Sequence, residues 1–181
     1  MASKNGGCAD NQQASKKKIS DEYFTGFVDG EGCFYVGFSR RKDLPLGWQV
    51  ITEFHLSQNP QGKLILEQFQ RRLGCGYIKP NHPKSKRDKT WVLIVKDRKD
   101  LKERLIPFFQ KHPLHSGKRK DFMLFVKVLQ LIEKGSHLKP EGFRKIANLV
   151  FQLPRSRKRY LKEEIFFSCG LRDYTPNTSK R

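Results

Sequence analysis

The segment Tyr23-Phe24-Thr25-Gly26-Phe27-Val28-Asp29-Gly30-Glu31-Gly32 constrains this chain more than any other. In it an apolar helical pattern with two small gaps runs straight into a carboxylate. A helix C-terminus carries roughly half a negative elementary charge, so Glu31 is unfavourable there unless a cation stands nearby. Gly26 and Gly30 lie one helical turn apart. That spacing strips side chains from one face, and another backbone can then approach closely. Two such helices would bring two Glu31 carboxylates together. Like charges at short range raise each other's pKa or recruit a metal ion, and hard oxygen ligands favour magnesium or calcium. The segment reads as half of a divalent-cation site; the plainer alternative is a Gly-rich helix end turning into a strand.

The rest of the composition points the same way. Lys and Arg number 37 against 18 Asp and Glu, giving 181 residues a formal charge of +19. Such self-repulsion is relieved by a polyanion, and nucleic acid is the natural one. Basic ribosomal or membrane-surface proteins share the charge, but 14 Phe, 5 Tyr and well-patterned strands argue for a folded reader rather than a basic tail. Cys8, Cys33, Cys75 and Cys169 have no C-x-x-C pair or zinc-ligand spacing, which predicts reduced, intracellular thiols. No apolar run approaches the ~18 residues of a membrane span, and the start has no hydrophobic signal core. The expectation is a protein neither secreted nor membrane-inserted, in a bacterial cytoplasm or an organelle.

Along the chain, residues 1–19 are polar and Gly-rich, too poor in apolar surface to offset ordering entropy, and are expected to form a disordered tail. Ser20 can cap a helix whose first turn carries Asp21 and Glu22. Cys33–Arg40 and Trp48–Gln58 read as a long β-hairpin, Lys63–Leu73 as a helix stopped by Gly74, and Gly76–Lys79 with Thr90–Lys96 as a second strand pair. Helices are predicted over Asp100–Phe109, Lys118–Glu133 and Pro140–Leu153. Residues 20–153 form the expected domain, and 154–181 a basic C-terminal helix or tail. His112 and His115 have a possible zinc spacing, but Pro113 interrupts it and no Cys or acid completes a site. The run Arg155-Ser156-Arg157-Lys158-Arg159-Tyr160 reads as an extra phosphate-binding arm or a solvated helix face.

Phe24 to Gly32 resembles the LAGLIDADG signature of homing endonucleases, with Phe24-Thr25 in place of the leading Leu-Ala and Glu31 as the final acid. The likeness covers residues 22–150 and includes the turn Leu138-Lys139-Pro140-Glu141-Gly142. It implies an α+β fold with an αββαββα core, a saddle-shaped antiparallel sheet for DNA binding, and extra C-terminal helices. Only one motif copy is visible, so the paired helix must come from a second chain. Single-motif relatives are homodimers, which makes a pseudo-palindromic duplex the expected ligand. Phe24, Thr25, Gly26, Val28 and Asp29 are expected at the dimer interface, and Asp29 to support the helix terminus rather than to bind metal.

Strand alternation sorts the DNA-reading side chains. Tyr35, Ser39 and Arg41 share one face with Gln49, Ile51, Glu53 and His55, while Phe34, Val36 and Phe38 turn to the core. Lys79, Asn81, Thr90 and Val92 would extend the polar face. Gln can pair with adenine, Arg or Lys with guanine and Glu with cytosine, while Ile51 can touch a thymine methyl. Lys84, Lys86 and Arg87, in the loop, are better suited to phosphates. An ordinary solvated sheet face is the bland reading of the same alternation.

At the chemical centre the resemblance implies Glu31 and the Gly30 carbonyl as metal ligands for Mg²⁺, with Ca²⁺ or Mn²⁺ as substitutes. It places a polar and a basic side chain around the attacking water. Gln58 matches the first and Lys118 the second, with Lys63 a weaker candidate and Gly62 standing where some relatives carry Arg. The plain reading of Lys118 is a surface lysine at a helix start. The whole points to a site-specific endonuclease cutting a long double-stranded DNA target by metal-dependent phosphodiester hydrolysis. The alternative is a non-cleaving binder, either an RNA maturase acting on intron RNA or a DNA-binding regulator.

Overall fold

The computed structural model describes residues 19–153 and 160–168. Cys8, Cys169, most of the expected N-terminal tail and the basic run from Arg155 to Arg159 lie outside the described residues. Ile19, assigned to that tail, instead packs against the core.

Helix α1 (Asp21–Glu31) starts where Ser20 accepts the Tyr23 N–H at 3.2 Å, with Asp21 and Glu22 in the positive first turn. It leads directly into β1 (Gly32–Arg40) and β2 (Trp48–Gln58), antiparallel from Gly32↔Leu56 to Arg40↔Trp48. Helix α2 (Lys63–Leu73) follows and stops at Gly74 in the left-handed region. Strands β3 (Tyr77–Pro80) and β4 (Trp91–Val95) complete a four-stranded antiparallel sheet ordered β1-β2-β4-β3. The second strand pair begins one residue later than alternation predicts because Gly76 is the turn. Its φ is +83°, and a Cβ there would stand 2.7 Å from the Ile94 carbonyl.

Alternation divides the sheet as expected. Phe34, Val36, Phe38, Val50, Phe54 and Leu56 are buried on the face covered by helices. Phe34 is the hub, its ring 5.2–5.6 Å from those of Phe54, Phe109, Phe122 and Phe125. Opposite it, α5 (Lys118–Glu133) buries Phe122, Phe125, Val128, Leu129 and Ile132 at helical spacing. The preceding helix starts earlier than predicted, at α3 (Arg98–Asp100), because the Asp97 side chain caps the Lys99 and Asp100 N–H groups. A π turn over Leu101–Leu105 links it to α4 (Ile106–Lys111), next to Pro107, which has no N–H for the regular ladder. After α6 (Pro140–Gln152), α7 (Lys162–Ser168) returns to the core with Ile165 and Phe166 fully buried. Glu164 also meets Arg40 at 2.8 Å, so the packed unit extends past the boundary expected at residue 153. Among the described residues no helix is long and apolar enough to cross a membrane.

Candidate functional site

Glu31 is the last residue of α1, exposed, with no basic residue in the final turn of its own helix. Gly30 is also exposed, and a Cβ built on it would meet nothing within 4 Å. A lysine from a later helix reaches the backbone just past Glu31. Lys118, first residue of α5, is only 7% exposed and donates its amine to the Gly32 carbonyl, one residue beyond Glu31. The reading of Lys118 as a surface lysine is thereby excluded. Gln58 ends β2 two residues past Leu56, the partner of Gly32. At about 3.3 Å per residue, it lies about 7 Å along β2 from that pair, where it is the partner of Trp91 on β4. Its side-chain oxygen accepts the Asn59 N–H at 2.8 Å, which leaves the amide NH₂ group as its free donor end. Lys63 is occupied elsewhere, with its amine 4.0 Å from the Trp91 ring centre and 3.5 Å from Glu67.

Asp29 faces its own chain. Its carboxylate accepts from the His115 N–H at 2.8 Å, the Ser116 N–H at 3.2 Å and the Ser116 hydroxyl at 2.9 Å. Burial raises its pKa, but these donors outweigh burial and hold the carboxyl below the usual range. The interface expected on α1 also needs revision. Phe24, Thr25 and Val28 are buried at 2%, 4% and 0% exposure in the chain's own core, so they cannot lie on a free face. The open stripe is Tyr23, Gly26 and Gly30, flanked by Phe27, which is half-buried against the core, with the Tyr23 and Phe27 rings stacked 6.3 Å apart. The H-x-x-H pair is also accounted for: His112 sits 3.2 Å from Asp21, while His115 gives its backbone N–H to Asp29.

On the sheet face away from the core, register brings the sequence-selected side chains into rows: Tyr35 opposite Glu53, Ser39 opposite Gln49, and Lys79 opposite Val92. The His55 ring and the Glu53 carboxylate share a hydrogen bond of 2.8 Å, and the ring stacks on Tyr35 at 6.1 Å and 9°. The Tyr35 ring in turn lies over Gly37, where a side chain would collide with it. Arg41 makes a two-pronged contact to Asp43 at 2.7 and 2.8 Å and a weaker one to Gln49 at 3.3 Å. Ile51 is half-buried, and Val92 is buried. Asn81 contacts Thr90 at 3.3 Å, and Asp88 and Ser85 brace the loop, leaving Lys84, Lys86 and Arg87 exposed. Tyr77, paired with Ile94 two positions from Lys79, belongs to this face and was missed. Continuing the alternation back from Lys79 would have found it.

A hard divalent cation can be tested against these donors. Glu31 and the Gly30 carbonyl are oxygen donors of the right kind and are open to solvent. Among the described residues, no group of three or more His, Cys, Asp or Glu gathers in one place.

The sequence pattern of the LAGLIDADG endonuclease family matches residues 24–129, more than half of the chain. The chain belongs to the LAGLIDADG endonuclease family. It is 30% identical over 151 residues to "Probable intron-encoded endonuclease 3" of Neurospora crassa, covering 83% of this chain but 27% of that relative's length. Among solved structures it is similar to the homing endonuclease I-TnaI, with TM-score 0.72, 33% identity, and 85% of this chain and 98% of that chain covered. It is also similar to the LAGLIDADG homing endonuclease I-LtrWI bound to target DNA, with TM-score 0.74, 33% identity, and 80% of this chain and 47% of that chain covered.

Proposed function

We propose that this chain is a site-specific homing endonuclease that pairs with a second copy and cuts both strands of a long pseudo-palindromic DNA by metal-dependent hydrolysis. The observation that carries this reading is the meeting of exposed Glu31 and the buried Lys118 amine, held on Gly32, at the end of α1. Two-fold pairing across the Tyr23, Gly26 and Gly30 stripe brings two such ends together and completes the half-site. The I-LtrWI match over 47% of that chain supports this, since one copy here corresponds to about half of that DNA-bound molecule. Glu31 and the Gly30 carbonyl would hold Mg²⁺, which supplies charge stabilisation for the attacking and leaving oxygens. Gln58 orients the attacking water through its amide NH₂, and Lys118 sets positive charge beside the reacting phosphate. The polar sheet face reads base edges while Lys84, Lys86 and Arg87 fix the backbone.

The test is incubation with a duplex spanning the intron-free junction of the host gene, with and without Mg²⁺. Cleavage at the junction only with the metal is the expected result; intact DNA beside tight intron-RNA binding rejects the nuclease reading. That RNA alternative has one observation in its favour. Lys120 and Lys127 on the exposed face of α5 and Lys134 just past its end stand seven residues apart, about 10 Å between neighbours, with Lys145 across a groove from the last two. None is in an ion pair among the described residues, and the stripe points away from the sheet. Under the RNA reading, Lys127→Glu with Lys134→Glu weakens intron-RNA binding and spares DNA binding; equal loss of both would reject it.

A further inference from the structure

We propose that Ser116 is a positioning residue which, anchored by Asp29, sets the Lys118 amine against the end of α1. The proposal rests on Lys118 being the basic group of the site. The Ser116 hydroxyl does two things at once: it donates to Asp29 Oδ1 at 2.9 Å and accepts the Lys118 N–H at 3.1 Å. The Ser116 and His115 backbone N–H groups join the same carboxylate at 3.2 and 2.8 Å. The start of α5 and the loop before it are thus tied to the junction of α1 and β1 at two points, the Asp29 carboxylate and the Gly32 carbonyl that takes the Lys118 amine. These two points straddle Glu31. A lysine amine rides on a flexible four-carbon stem, so its address at Gly32 depends on where the Lys118 backbone is held. Ser116 holds that backbone, and Asp29 holds Ser116.

The competing explanation is that Ser116 merely caps α5, a role any acceptor at its position fills. Ser116→Asp separates the two. It keeps an acceptor for the Lys118 N–H, but it has no proton for Asp29 and sets a second carboxylate against the first. Ser116→Thr keeps both functions of the hydroxyl.

The first measurement uses the full chain without metal or DNA: reaction of each lysine with acetic anhydride, followed by peptide mass, with exposed Lys120 as the internal reference. Lys118 is expected to react slowly in the wild type and in Ser116→Thr, and several-fold faster in Ser116→Ala and Ser116→Asp. Slow reaction in Ser116→Asp, the variant that retains its cap and hence its helix, would overturn the proposal. The second measurement is cleavage of the junction duplex. Ser116→Ala and Ser116→Asp are expected to lower kcat by about 10- to 100-fold, the range of outer-shell supports, with KM little changed and Ser116→Thr restoring the rate. Wild-type kcat in Ser116→Asp would reduce Ser116 to a helix cap. If the wild type cuts nothing, the nuclease reading fails, while the labelling result still decides whether Ser116 places Lys118.

Discussion

Glu31 sits at the negative end of α1 without a basic neighbour in that turn, an arrangement that costs about 0.3–1 kcal/mol at low salt. Glu31→Gln is therefore expected to raise stability slightly, abolish cutting and leave DNA binding largely intact. Denaturant unfolding and a cleavage assay check both halves, and an unchanged cleavage rate rejects the role of the carboxylate. Asp21 and Asp29 are also tied to charge and donors. Arg72 reaches Asp21 with two contacts of 2.6 Å and holds its carboxyl below the usual range. For Asp29 burial works the other way, but the Ser116 and His115 donors prevail. A carboxyl depressed in the fold contributes its full stability above the unfolded value, near pH 4, and loses it as pH falls through the folded value. Stability should hold from pH 7 to about 5 with respect to these two groups and drop below about 4. Asp21→Asn with Asp29→Asn should be less stable at pH 7 and flatter at low pH; a loss as steep as the wild type's in thermal melts would contradict this.

Among the elements, α1 shows how one pattern serves two surfaces. Phe24, Thr25 and Val28 fill the core under the sheet, while Gly26 and Gly30 keep the opposite side flat. Since a Cβ at Gly26 meets nothing within 4 Å inside the chain, the first atom of a Leu side chain in Gly26→Leu has open space. The substitution also gains about 0.8–1 kcal/mol of helix propensity. Loss of association with the fold intact then points to a second molecule on this face. Analytical ultracentrifugation should show Gly26→Leu as a folded monomer where the wild type is a dimer, and a variant that sediments like the wild type would remove the packed-helix interface. The α5 helix has a similar division, with its first residue reaching the Gly32 carbonyl and its Phe122 and Phe125 rings packed on Phe34. Because Phe34 lies on β1 two residues after Gly32, the end of α1 is joined by a short stretch of chain to the aromatic core.

At the scale of the whole molecule, +19 over 181 residues and a row of exposed Lys84, Lys86 and Arg87 call for phosphates. Each phosphate neutralised releases counterions, so log affinity for duplex DNA should fall steeply and linearly with log salt, by about 0.9 per phosphate contacted. Titration by fluorescence anisotropy from low to moderate salt measures that slope. A flat response would mean that the sheet face is not the DNA surface.

Legibility followed the range of the interactions. Helix and strand periods depend on residues a few positions apart, so the hairpin Cys33–Gln58, the helices Lys63–Leu73 and Lys118–Glu133, and the polar rows from Tyr35 to His55 could be read directly from the chain. The place of Glu31 at the exposed end of α1 was legible too, because a carboxylate ending a Gly-spaced helix conflicts with local electrostatics. Tertiary structure decided the rest. Which side of α1 turns inward depends on α2 and the sheet, placed much later in the chain. The burial of Lys118 depends on Gly32, 86 positions away, and the Asp29 anchor on Ser116, 87 away. Such contacts follow no local period, because they arise only when packing brings distant segments together and leaves a buried charge to find its partner.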